Sequence, residues 1–235
     1  MNFEIICGDY RDVAVSVGEV DSIVTDPPYS SAVHEMQTDH ETPLEPRRKL
    51  AYASWGLEDV LALLSVASDV ASGWVVALSC HRLIKHYETA GISYGLTTFQ
   101  PVPCVISGMT VRLAGDGPSS WAVYANVARP KSLHKWGTLP GAYVGKREKQ
   151  PHIGGKPLWL MRALIRDYTR PGDLVFDPCC GSGTTGVACI EQGRRFIGCD
   201  IDQTACDVAY ERIDKTRRQG VLFSPPPRES VGTLF

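Results

Sequence analysis

Asp177-Pro178-Cys179-Cys180-Gly181-Ser182-Gly183-Thr184-Thr185 decides how this chain is read. The short apolar run Leu174-Val175-Phe176 precedes it and reads as a buried parallel strand. The small, apolar run 185–190 that follows reads as the start of a helix. The stretch is therefore strand, glycine-rich turn, helix. Gly181 and Gly183 carry no Cβ, so backbone can pass close to a ligand there, and a helix start supplies N–H groups without intrahelical partners. In a doubly wound sheet, ligands bind at the carboxyl ends of the strands. The turn is neither G-x-G-x-x-G nor G-x-x-x-x-G-K-[ST]. No Lys follows Gly183, which argues against a nucleoside triphosphate. The next strand, Arg195-Phe196-Ile197-Gly198-Cys199, ends at Asp200, whose carboxylate can accept from both hydroxyls of a ribose diol. The plainer alternative is an ordinary strand–turn–helix with a capping Asp.

A second anchor lies far upstream, at Asp26-Pro27-Pro28-Tyr29, after the apolar strand 22–25. Two prolines cannot continue a hydrogen-bonded ladder, so the strand must stop there. The result is a stiff loop presenting a carboxylate, the Pro27 carbonyl and an aromatic ring. The competing reading is a strand-ending Pro-Pro turn.

Together the two anchors resemble the DNA amino-methyltransferases, enzymes that methylate adenine N6 or cytosine N4 with S-adenosylmethionine. The Asp-Pro-Pro-Tyr loop comes first and the glycine-rich loop last, which resembles the circularly permuted β group of these enzymes. Ile6-Cys7-Gly8-Asp9 resembles the segment that starts β-group chains. Lys156-Pro157 before Leu158-Trp159-Leu160 resembles the "KP" segment, and 194–202 the second cofactor motif. The resemblance is close over 3–29 and 151–213 and loose in the middle. It implies an α/β, Rossmann-like methyltransferase fold: a mixed seven-stranded sheet, helices on both faces, one antiparallel strand, permuted order. It also implies a cofactor set of Asp9, Lys156, Asp177, Pro178, Cys179, Gly181, Gly183, Thr184, Thr185, Asp200 and Ile201, and a catalytic set of Asp26, Pro27, Pro28 and Tyr29. Asp9 would accept from the adenine amine of the cofactor. The family commonly has Phe where Cys179 stands, and its Trp-x-Lys signature is missing from 105–109.

Length and composition agree with one α/β domain over 1–235. No run is apolar enough to span a membrane, and the first residues form no secretory leader. The expected place is the cytosol (cytoplasmic), with the eight cysteines reduced. There is no C-x-x-C pair or Cys–His zinc spacing, and no metal is expected. The net charge of −2 excludes a globally basic nucleic-acid binder. Charge is uneven, however: Arg129, Lys131, Lys135, Lys146, Arg147, Lys149 and Lys156 face only Glu148 between 129 and 156. Phosphate contact needs such a local patch rather than a positive total.

In chain order, strands are expected at 3–6, 22–25, 74–79, 102–106, 121–124, 174–176 and 195–199, and helices at 10–17, 57–70, 82–90, 157–168 and 204–217. The polar stretch 30–50, with His34 and His40, reads as a mobile loop that closes over substrate. Residues 109–119 read as a glycine-rich loop, and the tail 220–235, with Pro225-Pro226-Pro227, as flexible apart from a docked 221–223. The segment 129–155 interleaves cations with Trp136, Tyr143, His134 and His152. This pattern suits a nucleic-acid surface, with cations for phosphate and rings for stacking, and the resemblance implies that the partner is double-stranded DNA. The embedded target-recognition segment is therefore placed at 107–155, with Lys131, Lys135, Trp136, Lys146, Arg147 and Lys149 as DNA contacts. The bland alternative is a connecting loop.

The implied reaction needs no covalent enzyme intermediate. The delocalised amine must have its N–H groups held by acceptors, so that its lone pair can point at the methyl. Asp26 and the Pro27 carbonyl are two such acceptors, and Tyr29 would stack on a flipped base. Asp at the first loop position favours adenine N6 over cytosine N4. Pro178-Cys179 suggests the cysteine nucleophile of cytosine-C5 enzymes, but the pair lies inside the cofactor turn. Other readings are a cytosine-N4 or RNA amino-methyltransferase, and an inactive DNA-binding relative. A protein-glutamine methyltransferase would have Asn first and no permuted order. A homodimer is left open by the resemblance, as is a paired restriction enzyme.

Overall fold

The computed structural model describes residues 2–30, 54–109, 119–133, 136–148 and 155–220. The expected loop at 31–50, the loop at 110–118, His134, Lys135, Lys149, His152 and the tail beyond Gly220 lie outside the described residues.

The strands are β1 (Phe3–Cys7), β2 (Ser22–Thr25), β3 (Val75–Ser79), β4 (Thr97–Thr98), β5 (Val102–Ser107), β6 (Ala122–Arg129), β7 (Tyr143–Lys146), β8 (Leu174–Asp177) and β9 (Arg195–Asp200). The helices are α1 (Tyr10–Val17), α2 (Leu57–Val70), α3 (Ile84–Ser93), α4 (Leu158–Tyr168), α5 (Thr184–Glu191) and α6 (Gln203–Gln219). All strands join one sheet in the order β1-β9-β8-β2-β3-β6-β5-β7, with β4 on β6. β6 runs antiparallel to both β3 and β5. The other pairings along the order are parallel.

The sheet divides two cores by alternation along single strands. Val24, Val76 and Leu78 pack with residues of α4, α5 and α6 on one face. Ile23, Val75 and Ala77 pack with residues of α1, α2 and α3 on the other. A strand buried on both faces reads as a nearly continuous apolar run, and Val75–Ser79 is buried throughout, with only Ser79 polar and its hydroxyl hydrogen-bonded. The wide apolar stripe of α2 buries Val60, Leu63, Leu64 and Ala67. Pro157 stands at the N-cap of α4, where a missing N–H is harmless.

The expected seven strands are present as β1, β9, β8, β2, β3, β6 and β5, with β6 the antiparallel one. Seven undercounts the sheet, because β7 extends it parallel to β5 and the two-residue β4 pairs with β6. β7 lies inside the stretch 129–155, read as a DNA-contacting segment with no strand expected. It buries Tyr143, whose hydroxyl donates to Asp167 Oδ2 at 3.0 Å. The strand expected at 121–124 runs on to Arg129, because β3 offers it partners down to Val75.

Gly73, just before β3, is a packing requirement. A Cβ there would sit 2.3 Å from the backbone oxygen of Asp21, just before β2. Backbone cannot swing aside as a side-chain tip can. Gly73→Ala is expected to destabilise the fold by about 2–3 kcal/mol, read as a lower midpoint in urea with an unchanged slope.

Candidate active site

The topology defines where a ligand belongs. From β8 the chain steps outward to β9, whereas from β2 it steps to β3 on the other side, so the winding reverses between β8 and β2. The crevice outside the carboxyl ends of such a neighbouring pair is the usual ligand site of an open α/β sheet. The glycine-rich turn leaves β8 there, and the Asp26 loop leaves β2 beside it. Two stretches some 150 residues apart in sequence thus meet because Ser22 and Ile23 pair with Val175 and Phe176.

Within the loop, Asp26 is half-buried and doubly engaged. Tyr29 Oη donates to Oδ1 at 3.0 Å and Lys156 Nζ donates to Oδ2 at 2.8 Å. The same ammonium lies 4.6 Å from the centre of the Tyr29 ring, a cation–π distance. Burial, then the Asp26 charge, push the Tyr29 phenol well above its ordinary value, so it stays a donor. Pro27 is buried and Pro28 half-buried. Cys80, after β3, contacts Ser30, the residue after Tyr29, at 3.3 Å.

The glycine-rich turn is held from below and from the side. Gly181 (φ +49°) and Gly183 (φ +77°) both adopt left-handed backbone that disfavours a side chain. At Gly183 a Cβ would also come within 2.9 Å of Ala209 on α6. Arg212 of α6, half-buried, donates to the carbonyl and hydroxyl of Ser182 and to the Thr184 hydroxyl. Asp200 accepts from Gly181 N at 2.9 Å and from Asp202 N at 3.0 Å, tying the turn to the end of β9. Ile201 beside it is 72% exposed. Thr184 and Thr185 are buried at the start of α5.

Asp177 lies beneath the turn, 1% exposed, and accepts from Cys179 N at 3.1 Å. Burial pushes its carboxyl up to about 6, against the pull of the Thr185 hydroxyl. Because the folded state then holds the proton more tightly than the unfolded chain, this group makes stability fall as pH rises from about 4 to 6. The change is about 3 kcal/mol at most. In Asp177→Asn that part of the slope should vanish, which urea midpoints measured at pH 4.5 and 6.5 would show.

Asp9 caps α1 rather than standing free. It accepts from the Arg11 amide at 2.9 Å and from Arg11 Nε at 2.9 Å, and the guanidinium holds its carboxyl below the ordinary range. It still sits at the crevice, because Cys7 pairs with Asp200. Asp177, Asp200 and Asp26 all act on the Cys179 thiol, which burial first and these charges next keep protonated. The crevice is thus acidic. Among the described residues no group of three His, Cys, Asp or Glu could hold a metal ion, and no helix is long and apolar enough to cross a membrane.

The residues read as DNA contacts divide between the two ends of the sheet. Ser107 pairs with Lys146, so Lys146 and Arg147 stand exposed at the carboxyl ends, on the Asp26 side. Arg129 pairs across to Thr97 beyond the Val75–Ala128 pair, so Lys131 follows at the amino ends, roughly 15 Å away along β3. Trp136 lies at that end too. Its Nε1 donates to the Asp167 carbonyl at 2.8 Å and its ring meets Trp74 edge-on at 6.0 Å. Trp136 and the buried Tyr143 therefore serve the packing of this chain. Lys156, read with the cofactor residues, is engaged with Asp26. Arg212 was not legible, because its contacts span 28 to 30 residues along the chain.

A parallel core flanked by one antiparallel hairpin strand, with a glycine turn and an acidic crevice at the switch point, defines the S-adenosylmethionine-dependent methyltransferase fold. It is shared with the crystal structure of M1.HpyAVI in complex with SAM (TM-score 0.67, 24% identity, 89% of this chain and 99% of that one). PvuII DNA methyltransferase, cytosine-N4-specific, superposes equally (TM-score 0.67, 15% identity, 93% and 92%). Residues 107–211 match the model of the DNA methylase family, to which the chain is thereby related. That match takes in the glycine-rich turn, and the Asp26 loop lies before it. The type II methyltransferase M2.DpnII of Streptococcus pneumoniae is 37% identical over 97 residues, 39% of this chain and 36% of that protein. The DNA adenine methyltransferase YhdJ of Escherichia coli is 39% identical over 67 residues, 28% and 23%. These alignments span between about a fifth and a third of the curated relatives' lengths.

Proposed function

We propose that the protein transfers a methyl group from S-adenosylmethionine to an exocyclic base amine of double-stranded DNA, adenine N6 by preference. The observation that carries this reading is the meeting of the Asp26-Pro27-Pro28-Tyr29 loop with the glycine-rich turn at the switch point of the sheet. The crevice residues fit the cofactor. Its sulfonium and ammonium charges suit a site walled by Asp177 and Asp200, its ribose suits the remaining lone pairs of Asp200, and its adenine suits the exposed apolar Ile201. Gly181 and Gly183 allow close backbone approach, with Asp9, Pro178, Cys179, Thr184 and Thr185 completing the walls. When bound, the cofactor supplies an electrophilic methyl.

The protein's own residues do the rest. Asp26 and the Pro27 carbonyl accept from the amine N–H groups, and the carboxylate stabilises the positive charge that develops on nitrogen. Tyr29 stacks on the extruded base, since no base within a duplex reaches this loop. Lys146 and Arg147, on the same end of the sheet, contact phosphate, and Lys149 belongs with them by sequence. Asp rather than Ser at position 26 supports adenine. YhdJ and PvuII methyltransferase, named for adenine and cytosine respectively, are both similar to this chain.

The test is product chemistry. The protein is incubated with S-adenosylmethionine and unmethylated genomic DNA, the DNA is digested, and the nucleosides are identified by mass spectrometry. N6-methyladenine is expected. N4-methylcytosine would keep the mechanism and change the base. Unmodified DNA, with cofactor binding intact, would favour RNA or an inactive DNA-binding relative.

A further inference from the structure

At the amino ends of the strands, away from the crevice, the described residues enclose an open groove of about 580 Å³. Its walls include Trp74, Phe99, Gln100, Arg129, Trp136 and Leu139. The Arg129 guanidinium lies 5.1 Å from the Trp74 ring centre and 5.4 Å from that of Phe99. Its side chain makes no hydrogen bond or ion pair among the described residues, and its Nε is buried without a partner. Trp74 is 3% exposed, and its Nε1 is a second buried donor with no acceptor. Buried donors are nearly always paired, and here two stand at one wall. Arg170 stacks on Trp136 at 3.9 Å, and neither it nor the exposed Lys131 has a salt bridge among the described residues. Phe99, 42% exposed, leaves an aromatic surface open.

Unpaired donors, an unneutralised guanidinium and exposed aromatic surface ask for one ligand with acceptor oxygens, negative charge and a planar ring. We propose that this groove binds a nucleoside monophosphate unit, with its phosphate on Arg129 and its base against Phe99. A phosphate offers more acceptor oxygens than a carboxylate does to Arg129 in the wall and to Arg170, which stacks on the groove residue Trp136. The unit is either a free mononucleotide or the 5′-phosphorylated end of a single strand. It is not the base being methylated, which must reach Asp26 at the other end of the sheet.

The test is calorimetric titration of the full chain, with saturating S-adenosylhomocysteine to fill the cofactor crevice. The probes are adenosine 5′-monophosphate, adenosine, inorganic phosphate and a 5′-phosphorylated tetranucleotide. Adenosine monophosphate is expected to bind at least about tenfold more tightly than adenosine or phosphate. Arg129→Gln and Phe99→Ala should each weaken it about tenfold, whereas Asp26→Ala should leave it unchanged. Phe99→Ala guards against misfolding of the Arg129 variant, because Phe99 is part-exposed. Tighter binding of the tetranucleotide would identify a strand end as the ligand, and equal binding a free nucleotide. Equal affinity for phosphate and adenosine monophosphate, loss on Asp26→Ala, affinity unmoved in both groove variants, or no binding at millimolar concentration would overturn the proposal.

Discussion

Asp26→Ala is expected to lose about 10³-fold in the rate of methyl transfer while binding S-adenosylmethionine as the parent does. The split follows from the geometry. The carboxylate leaves β2 on its own loop, and the residues fitted to the cofactor leave β1, β8 and β9. On the proposed mechanism, truncation removes one of the two acceptors for the amine and the charge nearest the developing ammonium. It leaves the turn held by Arg212 and Asp200 untouched. Single-turnover rates and equilibrium cofactor titration on the same preparation measure the two effects. Equal loss of both would mean that the loop shapes the cofactor site, and loss of neither would remove Asp26 from the reaction. Asp26→Asn should fall between, since an amide oxygen still accepts but carries no full charge.

The elements that hold these residues were legible where periodicity was strong. The helix over Leu57–Val70 and the strand over Ser22–Thr25 match their sequence-based expectations residue for residue, because a wide apolar stripe and a doubly buried run leave few alternatives. β7 carried no such signal. Tyr-Val-Gly-Lys is short, ends in a cation and has Gly inside, and Gly weakens a strand. It forms because β5 offers it a parallel edge and because Gly145 admits the Trp159 ring, which a Cβ would meet at 2.4 Å. For the same reason the basic stretch looked like one surface. A strand hidden in its middle carries Lys146 and Arg147 to the Asp26 end and leaves Lys131 and Trp136 at the other. In the candidate site, the loop and the turn were visible as local motifs. Their fastenings were not. Lys156 reaches Asp26 across 130 residues, and nothing in local sequence encodes a contact that only the winding of the sheet creates.

That Lys156–Asp26 contact supports the second large effect. The ammonium side chain is 10% exposed and the carboxylate 21%, so water screens the pair only in part. Removing one partner strands the other, which costs about 3–5 kcal/mol for fully buried pairs. With this residual exposure, Lys156→Met is expected to destabilise the protein by about 2–3 kcal/mol. Asp26→Asn in the same chain removes the stranded charge, so the double variant should be more stable than the sum of the single changes predicts, by about 1–2 kcal/mol. Urea unfolding of the four proteins measures that coupling directly. Function separates the two roles open to this residue. If Lys156 acts by orienting Asp26 and supporting Tyr29, Lys156→Met lowers the rate of methyl transfer about tenfold and leaves cofactor affinity in place. If it belongs to the cofactor crevice, as its place in the "KP" segment implies, affinity for S-adenosylmethionine falls at least as far as the rate. The distance of 2.8 Å to Oδ2, with the ring of Tyr29 beneath the same ammonium, supports the first outcome. The incoming base amine must then share Oδ2 with the ammonium or displace it, so the pair holds the acceptor in place until the base arrives.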